Sequence, residues 1–272
     1  MDKYLIMTDL DNTLLNKKHK LSLLSKFYIK KLVKQGHYFI IATGRPFQGC
    51  IHFYNQLKLN SYLVCDNGGS IILPNDESKN IIKSIPLNIF LEFLNEIKDY
   101  IYAGMSATRE KVYYQNPDVV PIWMKHDYKE REIIIGNLNE IIKISPINPN
   151  LFIKTEYLNE VINILSKEKY SSIFTYRHWS TNKPYTSFEI FRNDATKGDA
   201  LLELKEILNI KKECDLAFGD QLNDLEMIKS AFNGVAMING RDELKSIAKY
   251  ISFKPNFKNG EIHFIKKFLK NK

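Results

Sequence analysis

A short apolar run that ends in two aspartates is the feature that most limits how this chain can fold. The run from Tyr4 to Met7 is typical of a buried strand in a parallel sheet. Asp9 and Asp11 follow it, separated by one residue. Because unpaired carboxylates are costly to bury, we expect a cation, hydrogen-bond donors or water at this strand end. In open α/β sheets ligands bind at the carboxyl ends of the strands, so the segment predicts a binding site.

This segment alone leaves two interpretations of Asp9 and Asp11 open. One carboxylate at a strand end can act as a nucleophile, and its neighbour can move protons. Alternatively, Asp11 and Asn12 form an Asx-type turn that only ends the strand. Three further motifs favour the chemical interpretation.

The order of the apolar segments predicts the fold class. Strand and helix patterns alternate up to residue 69 and again from residue 195 onward, which is typical of a doubly wound parallel sheet in an α/β protein. A hairpin, amphipathic helices and short antiparallel strands lie between these parts. We therefore predict an α/β core formed by residues 1–83 and 193–272 and an inserted α+β domain over residues 84–192.

Composition limits the compartment and the partners. The 3 cysteines lie outside any C-x-x-C, no apolar run has the length of a membrane span, and acidic residues interrupt the N-terminal apolar segment. We therefore expect a cytoplasmic protein with reduced thiols and no membrane partner. The net charge is +8, but the lysines are scattered over the whole chain. This pattern favours an anionic small substrate over nucleic acid.

The second and third motifs each suit an anion. Thr43 and Gly44 follow the second predicted strand, where a hydroxyl and backbone amides can bind an oxyanion, although Thr43 can equally cap the next helix. Lys197 lies in the first turn of a predicted helix. A cation there opposes the helix dipole unless an anion lies between them, and a solvated surface lysine is the simpler alternative.

The fourth motif is the segment 219–224, which again follows an apolar strand. Asp220 leaves the strand, and Asn223 and Asp224 fall in the first helical turn. Acidic residues in that turn also suit the helix dipole, which is the structural alternative. A G-D-x-x-N-D string at a strand–helix junction is rarer than an ordinary helix cap, so we favour a functional role for these residues.

Together the four motifs predict an acidic cluster at one edge of the sheet. Carboxylates that meet in one cleft repel one another and raise each other's pKa. Mg²⁺ relieves this repulsion, because it binds a few carboxylate oxygens together with water and phosphate, and no His/Cys cluster favours zinc. The side chains expected there are Asp9, Asp11, Thr43, Lys197, Asp220 and Asp224.

In this order the motifs resemble those of the haloacid dehalogenase (HAD) superfamily. Asp9 and Asp11 match its first motif, Thr43 its second, Lys197 its third and segment 219–224 its fourth. The inserted block lies where that superfamily carries its type-two cap, and segments 42–46 and 66–69 look like those of its Cof-type subgroup. The resemblance implies a phosphatase that acts on small phosphorylated metabolites such as sugar phosphates.

The resemblance also implies roles for single residues. Asp9 would attack phosphorus to form an aspartyl-phosphate, and Asp11 would protonate the leaving oxygen and then activate water. Mg²⁺ would bind the Asp9 side chain, the backbone carbonyl of Asp11 and the Asp220 side chain, and Asp224 would bind it directly or through water. The implied phosphoryl-binding residues are Thr43, Gly44, Lys197 and Asn223, with Arg45 reaching the rest of the substrate.

Other functions and the choice of substrate stay open from the sequence. A phosphomutase or phosphotransferase would use the same motifs, and the +8 charge also suits a non-catalytic phospho-ligand or nucleic-acid binder. We expect a monomer or a weak homodimer. The cap would select the substrate, and its candidate residues, for which surface or packing roles are simpler, are Arg109, Arg177, His178 and Trp179.

Overall fold

The computed structural model describes residues 2–126, 128, 131–182 and 184–270, and in it the chain divides into two compact units. The core unit comprises Met1–Ile81 and Ala195–Lys272, and the inserted unit comprises Ile82–Asp194. The inserted unit therefore begins at residue 82 rather than 84 and ends at residue 194 rather than 192. Of the described helices, none is both long enough and apolar enough to cross a membrane.

Strands and helices are numbered in chain order. The strands are β1 (Leu5–Thr8), β2 (Tyr38–Ile41), β3 (Leu63–Cys65), β4 (Ser70–Ile72), β5 (Ile81–Ile82), β6 (Ile101–Ala107), β7 (Lys111–Gln115), β8 (Glu132–Ile135), β9 (Asn150–Lys154), β10 (Phe174–Asn182), β11 (Tyr185–Arg192), β12 (Asp215–Gly219), β13 (Gly234–Ala236) and β14 (Tyr250–Ile251). The helices are α1 (Leu23–Lys34), α2 (Phe47–Leu57), α3 (Leu87–Ile97), α4 (Ile122–His126), α5 (Leu138–Ile141), α6 (Leu158–Leu165), α7 (Glu168–Ser171), α8 (Lys197–Ile207), α9 (Leu225–Ser230), α10 (Asp242–Ile247) and α11 (Gly260–Lys270).

The core unit is built on a parallel sheet with the order β14-β13-β12-β1-β2. β1 lies between β12 and β2, so that Thr8 has Phe218 on one side and Ile41 on the other. Because these strands are parallel and in register, their carboxyl ends meet at one edge of the sheet. The polar residues that follow each strand are therefore brought close together.

Helices cover both faces of this sheet. Because successive side chains of a strand point to opposite faces, neighbouring residues of β1 pack against different helices. Ile6 packs in the cluster that includes buried residues of α1, α2 and α11. Leu5 and Met7 pack in the cluster that includes buried residues of α8, α9 and α10. This arrangement confirms the predicted doubly wound α/β core.

The inserted unit contains a six-stranded sheet with the order β10-β11-β9-β6-β7-β8. Its strands pair antiparallel except for β7 and β8, which are parallel. Residues of α3, α5, α6 and α7 pack with this sheet in one buried cluster. The unit is therefore an α+β structure with a core of its own, as the sequence predicted.

A buried carboxyl lies beneath the core sheet at the start of α11. Glu261 is 1% exposed, and neither of its carboxylate oxygens has a hydrogen-bond partner among the described residues. The nearby Thr8 hydroxyl donates instead to the backbone carbonyl of Asp9, at 2.8 Å. Burial raises the pKa of Glu261 to about 8, with Thr8 acting in the opposite direction. Burial therefore favours the neutral carboxyl of Glu261 at pH 7 in the folded protein.

We expect Glu261→Gln to stabilise the protein more at pH 8 than at pH 5. An unfolded glutamate loses its proton near pH 4.5, whereas folded Glu261 keeps it until about pH 8. Between these values the unfolded chain binds fewer protons, so each pH unit lowers the free energy of unfolding by up to about 1.4 kcal/mol. The glutamine does not titrate, and the variant avoids this loss. Calorimetric melting temperatures at the two pH values measure the effect.

Glu243→Gln is the matched control, because Glu243 is exposed in the first turn of α10. Its melting temperature should differ from that of the wild type by a similar small amount at both pH values. A difference between Glu261→Gln and wild type that does not change with pH would contradict the burial of a neutral carboxyl.

Candidate active site

The first motif forms a tight turn directly after β1. The Asp9 amide donates to the carbonyl of Phe218 at 2.9 Å, so Asp9 continues the sheet pairing beyond the strand, and its side chain is buried. The chain then turns at Asn12, whose φ of 56° lies in the left-handed region that asparagine tolerates. The same turn places Thr13 where its hydroxyl donates to Asp220 Oδ1 at 2.9 Å. The first and fourth motifs are therefore joined by a direct hydrogen bond.

Lys197 connects the third motif to two aspartates. Its Nζ donates to Asp9 Oδ1 at 2.6 Å and to Asp224 Oδ1 at 2.7 Å, and the side chain has no exposed surface. The helix start is fixed by a capping box, in which Thr196 Oγ1 accepts from the Asp199 amide and the Asp199 carboxylate accepts from the Thr196 amide. The alternative of a solvated surface lysine is therefore wrong.

The fourth motif is held by backbone hydrogen bonds to Asp224. Asp224 Oδ2 accepts from the amides of Asp220 and Gln221, at 2.9 and 3.0 Å. A Cβ atom on Gly219 would lie 2.3 Å from Cβ of Asp224, so glycine is required where the turn folds back on itself. Both oxygens of Asp224 are thus engaged by protein donors, since Oδ1 binds Lys197.

Asp9, Asp220 and Asp224 together form a group that could hold a metal ion. Each offers one oxygen, and these three atoms lie within 4.8 Å of one another. Burial raises the pKa of Asp9 well above its ordinary value; Asp224 and Asp220 raise it further, whereas Lys197 opposes the shift. Burial and the charge of Asp224 raise the pKa of Asp220 to about 7. Three buried carboxylates beside one lysine fit a divalent cation, and oxygen donors of this kind suit Mg²⁺.

Burial would lower the pKa of Lys197, but the nearby charges outweigh it. Asp224 and Asp9 both favour the charged ammonium, through their charges and their hydrogen bonds, and the net effect is a raised pKa. Lys197 therefore stays protonated and supplies one fixed positive charge to the cluster.

Asp11 is held in a fixed position by two basic side chains. Arg45 Nε donates to Asp11 Oδ2 at 2.8 Å and Arg45 Nη2 donates to Oδ1 at 2.6 Å, a bidentate pair. His19 Nδ1 lies 3.1 Å from Asp11 Oδ1. Burial raises the pKa of Asp11, but Arg45 and His19 outweigh it and the net pKa is lowered. Asp11 is therefore an ionised carboxylate in this state.

Two of these contacts were not expected from the sequence. Arg45 was predicted to reach the substrate, and here its guanidinium binds Asp11 instead. His19 carried no motif signal, because it is a single histidine in a polar loop whose nearness to Asp11 depends on the turn after β1.

The second motif lies at the end of β2, next to the turn after β3. Thr43 is buried, its amide donates to the carbonyl of Val64 at 2.9 Å, and its hydroxyl accepts from the Arg45 amide at 3.1 Å. Asn223 Nδ2 donates to Asn67 Oδ1 at 2.8 Å. Asn67 belongs to the segment that the sequence associated only with the Cof-type subgroup. The structure thus brings a fifth segment to the four motifs.

A comparison with protein families gives a match over nearly the whole chain. The sequence profile of the family described as haloacid dehalogenase-like hydrolase matches residues 6–265. The chain belongs to this family. The predicted HAD family is therefore confirmed, and with it the expectation of a hydrolase.

Curated relatives and a solved structure agree with this assignment. Two proteins of Bacillus subtilis, YitU and YcsE, are each named 5-amino-6-(5-phospho-D-ribitylamino)uracil phosphatase and are each 28% identical to this chain. The YitU match covers 97% of both chains, and the YcsE match covers 93% of this chain and 90% of YcsE. The crystal structure of TM0651 from Thermotoga maritima has a TM-score of 0.79 and 25% identity, with 97% of both chains covered.

The cap candidates of this HAD-like hydrolase have different surroundings within the inserted unit. Arg177 pairs in register with Glu189, and its guanidinium carbon lies 4.4 Å from the ring centroid of Phe191. His178 and Arg109 are exposed. The side chain of Trp179 lies outside the described part of the chain. The inserted unit itself thus gives Arg177 a packing role, and substrate roles for these residues stay predictions.

Proposed function

We propose that this HAD-like hydrolase is a Mg²⁺-dependent phosphatase of small phosphorylated metabolites that works through an aspartyl-phosphate. The observation that carries the proposal is the buried Lys197 ammonium, which binds Asp9 and Asp224 inside a cluster of three carboxylates. A cluster with this donor set suits a metal and a phosphoryl group together. The relatives named as phosphatases of a phosphoribityl compound support a substrate of this size and charge.

Asp9 is the proposed nucleophile. One of its carboxylate oxygens forms a bond to phosphorus while the bond from phosphorus to the ester oxygen breaks. The electron pair leaves with the ester oxygen, which takes a proton from Asp11. Water then attacks the same phosphorus, Asp11 takes the proton from that water, and inorganic phosphate leaves with the Asp9 carboxylate restored.

The ion pair between Arg45 and Asp11 suits one half of this cycle. An ionised Asp11 is ready to accept a proton from water, which is the base role. The acid role needs a protonated Asp11, and we propose that Arg45 leaves Asp11 when the substrate binds. The released guanidinium would then be available to the anionic substrate.

We propose that Asp9, Asp220 and the backbone carbonyl of Asp11 hold the metal. Asp224 is completely buried and both of its oxygens already accept protein hydrogen bonds, so it would add negative charge to the cluster rather than bind the metal directly. Bound Mg²⁺ would neutralise charge on the phosphoryl oxygens. Thr43, Lys197 and Asn223 would hold those oxygens in place, and the inserted unit would act as the cap that selects the substrate.

Removal of metal should abolish phosphatase activity, and Asp220→Asn should weaken the response to Mg²⁺. We expect EDTA to stop release of inorganic phosphate from p-nitrophenyl phosphate and Mg²⁺ to restore it. Loss of one direct carboxylate ligand should raise the Mg²⁺ concentration for half-maximal rate by at least about 100-fold, since changes to outer-shell partners alone cost about 10- to 100-fold. Activity that persists in EDTA would refute the metal requirement.

Two controls complete this experiment. Asp242→Asn changes an exposed aspartate at the start of α10 and should respond to Mg²⁺ like the wild type. Inorganic phosphate should account for all of the ester that is consumed. A deficit in phosphate when an alcohol is added would favour a phosphotransferase instead.

The compartment and the oligomeric state stay proposals as well. We propose a cytoplasmic protein, which the widely spaced cysteines outside any C-x-x-C support. We also propose a monomer or a weak homodimer, with a small phosphorylated metabolite rather than nucleic acid as its ligand.

A further inference from the structure

The turn after β3, which we call the Asn67 turn (residues 66–69), contacts three segments that carry proposed phosphate-binding groups. Its first contact is with the second motif. The backbone N–H of Asn67 donates to the carbonyl of Thr43 at 3.0 Å. A Cβ atom on Gly44 would lie 3.0 Å from Asn67 Oδ1, so the backbone of that motif packs closely on the Asn67 side chain.

The second contact of the Asn67 turn is with the start of α8. Gly68 has a φ of 108°, which disfavours any other residue. A Cβ atom there would also lie 2.2 Å from the carbonyl oxygen of Thr196 and 2.9 Å from the amide nitrogen of Lys197. Only glycine therefore lets the turn pack against the backbone that positions Lys197.

The third contact is between two side-chain amides. Asn67 is 4% exposed, has a φ of 55°, and accepts a hydrogen bond from Asn223 Nδ2 at 2.8 Å. A primary amide has one carbonyl oxygen and two N–H donors. Because Asn67 presents its oxygen, Asn223 is oriented to donate, and an amide in this orientation has a second N–H that can donate to a phosphoryl oxygen. The opposite orientation would turn a carbonyl oxygen toward an anion.

We propose that Asn67 is a positioning residue, which orients the amide of Asn223 for binding a phosphoryl group. The proposal rests on the proposed function for the identity of the anion. It does not make Asn67 a catalytic residue, since Asn67 acts through Asn223. The turn that carries Asn67 is fixed by the hydrogen bond from the Asn67 backbone N–H to the Thr43 carbonyl and by the close packing of Gly68 on the backbone at Thr196.

A double-mutant cycle tests the proposal. Asn67→Gly removes the acceptor while keeping a residue that tolerates the left-handed backbone. We expect it to lower kcat/KM for p-nitrophenyl phosphate by about tenfold, the size of one lost hydrogen bond. Binding of inorganic phosphate, measured by calorimetry with Mg²⁺ present, should weaken by a similar factor. In an Asn223→Ala background the same change should have little further effect, because the two residues act as a unit.

Asn209→Gly is the matched control. Asn209 also has a left-handed backbone, with a φ of 49°, and it follows α8 far along the chain from the Asn67 turn. This variant should change neither kcat/KM nor phosphate affinity. Melting temperatures of all variants separate a loss of stability from a loss of phosphate binding.

The outcomes distinguish this proposal from the proposed function. The positioning role is refuted if Asn67→Gly has no effect on phosphate affinity and kcat/KM. It is also refuted if Asn67→Gly lowers both by the same factor in the wild type and in the Asn223→Ala background, even though the enzyme is active. If the wild type binds phosphate but hydrolyses no ester, the phosphatase assignment fails. The affinity cycle then still decides the role of Asn67.

Discussion

Asp9→Asn should lower kcat for p-nitrophenyl phosphate by about 10,000-fold or more, as expected when a covalent nucleophile is lost. An amide oxygen is a poor nucleophile, and no other group in the cluster takes the place of Asp9 in the proposed cycle. The measurement is release of inorganic phosphate under saturating Mg²⁺ and substrate. Activity within tenfold of the wild type would refute the assignment of the nucleophile.

The same variant should fold normally. Asparagine keeps an oxygen that can accept the hydrogen bond from Lys197, which Asp9 now accepts at 2.6 Å. It also removes one of three buried carboxylates that repel one another. We therefore expect a melting temperature equal to or above that of the wild type in EDTA. Asp242→Asn, on an exposed side chain, should leave both activity and melting temperature unchanged.

Lys197→Met should destabilise the protein by about 3–5 kcal/mol in EDTA, the usual effect of leaving buried charges without a partner. The Lys197 side chain has no exposed surface and its ammonium binds Asp9 and Asp224. Methionine is similar in length, so the loss reflects charge rather than a large cavity. Activity should also fall by at least about 100-fold, because the variant lacks the charge that we propose binds the phosphoryl oxygens.

A distinctive feature of Lys197→Met should be its response to metal. Without the ammonium, the three carboxylates have a greater need for a cation, so Mg²⁺ should raise the melting temperature of this variant more than that of the wild type. Differential scanning calorimetry with and without Mg²⁺ measures this. An equal Mg²⁺ effect in both proteins would contradict a shared cluster of lysine, aspartates and metal.

Lys205→Met supplies a matched control, because Lys205 also pairs with a buried carboxylate. Its partner, Asp215, is completely buried and accepts hydrogen bonds from the amides of Phe232 and Asn233. Asp215 begins β12 whereas Asp220 follows its other end, so this ion pair lies away from the acidic cluster. Lys205→Met should therefore lower stability but change neither kcat nor the response to Mg²⁺.

The local hydrophobic pattern and the order of the segments along the chain were sufficient to predict the fold of the core. Apolar runs at regular spacing predict buried strands, and strands that alternate with helices pair in parallel. Parallel strands place their carboxyl ends at one edge, so residues as distant in sequence as Asp9 and Asp220 could be expected together. The type of fold and the location of the acidic cluster followed from these rules.

The same rules could not predict two of the shortest elements of the core, one helix and one strand. α10 and β14 span only residues 242–247 and 250–251, too few for a helical or strand period to stand out. Their place at the edge of the sheet depends on pairing with β13. The strand order of the inserted unit is set by long-range pairing in the same way, because several antiparallel orders are compatible with one pattern of short strands.

The sequence by itself determined a doubly wound core, an inserted domain and the segments that carry the acidic residues, because hydrophobic period and strand direction are local properties. Only the tertiary structure decided which side chains meet, namely Arg45 and His19 with Asp11, and Asn67 with Asn223. It also decided that Glu261 is buried where its carboxylate oxygens have no hydrogen-bond partner among the described residues. Hydrogen bonds and burial depend on atoms from distant segments approaching within about 3 Å. Such contacts arise only when the chain is packed, and no periodic pattern in the sequence predicts them.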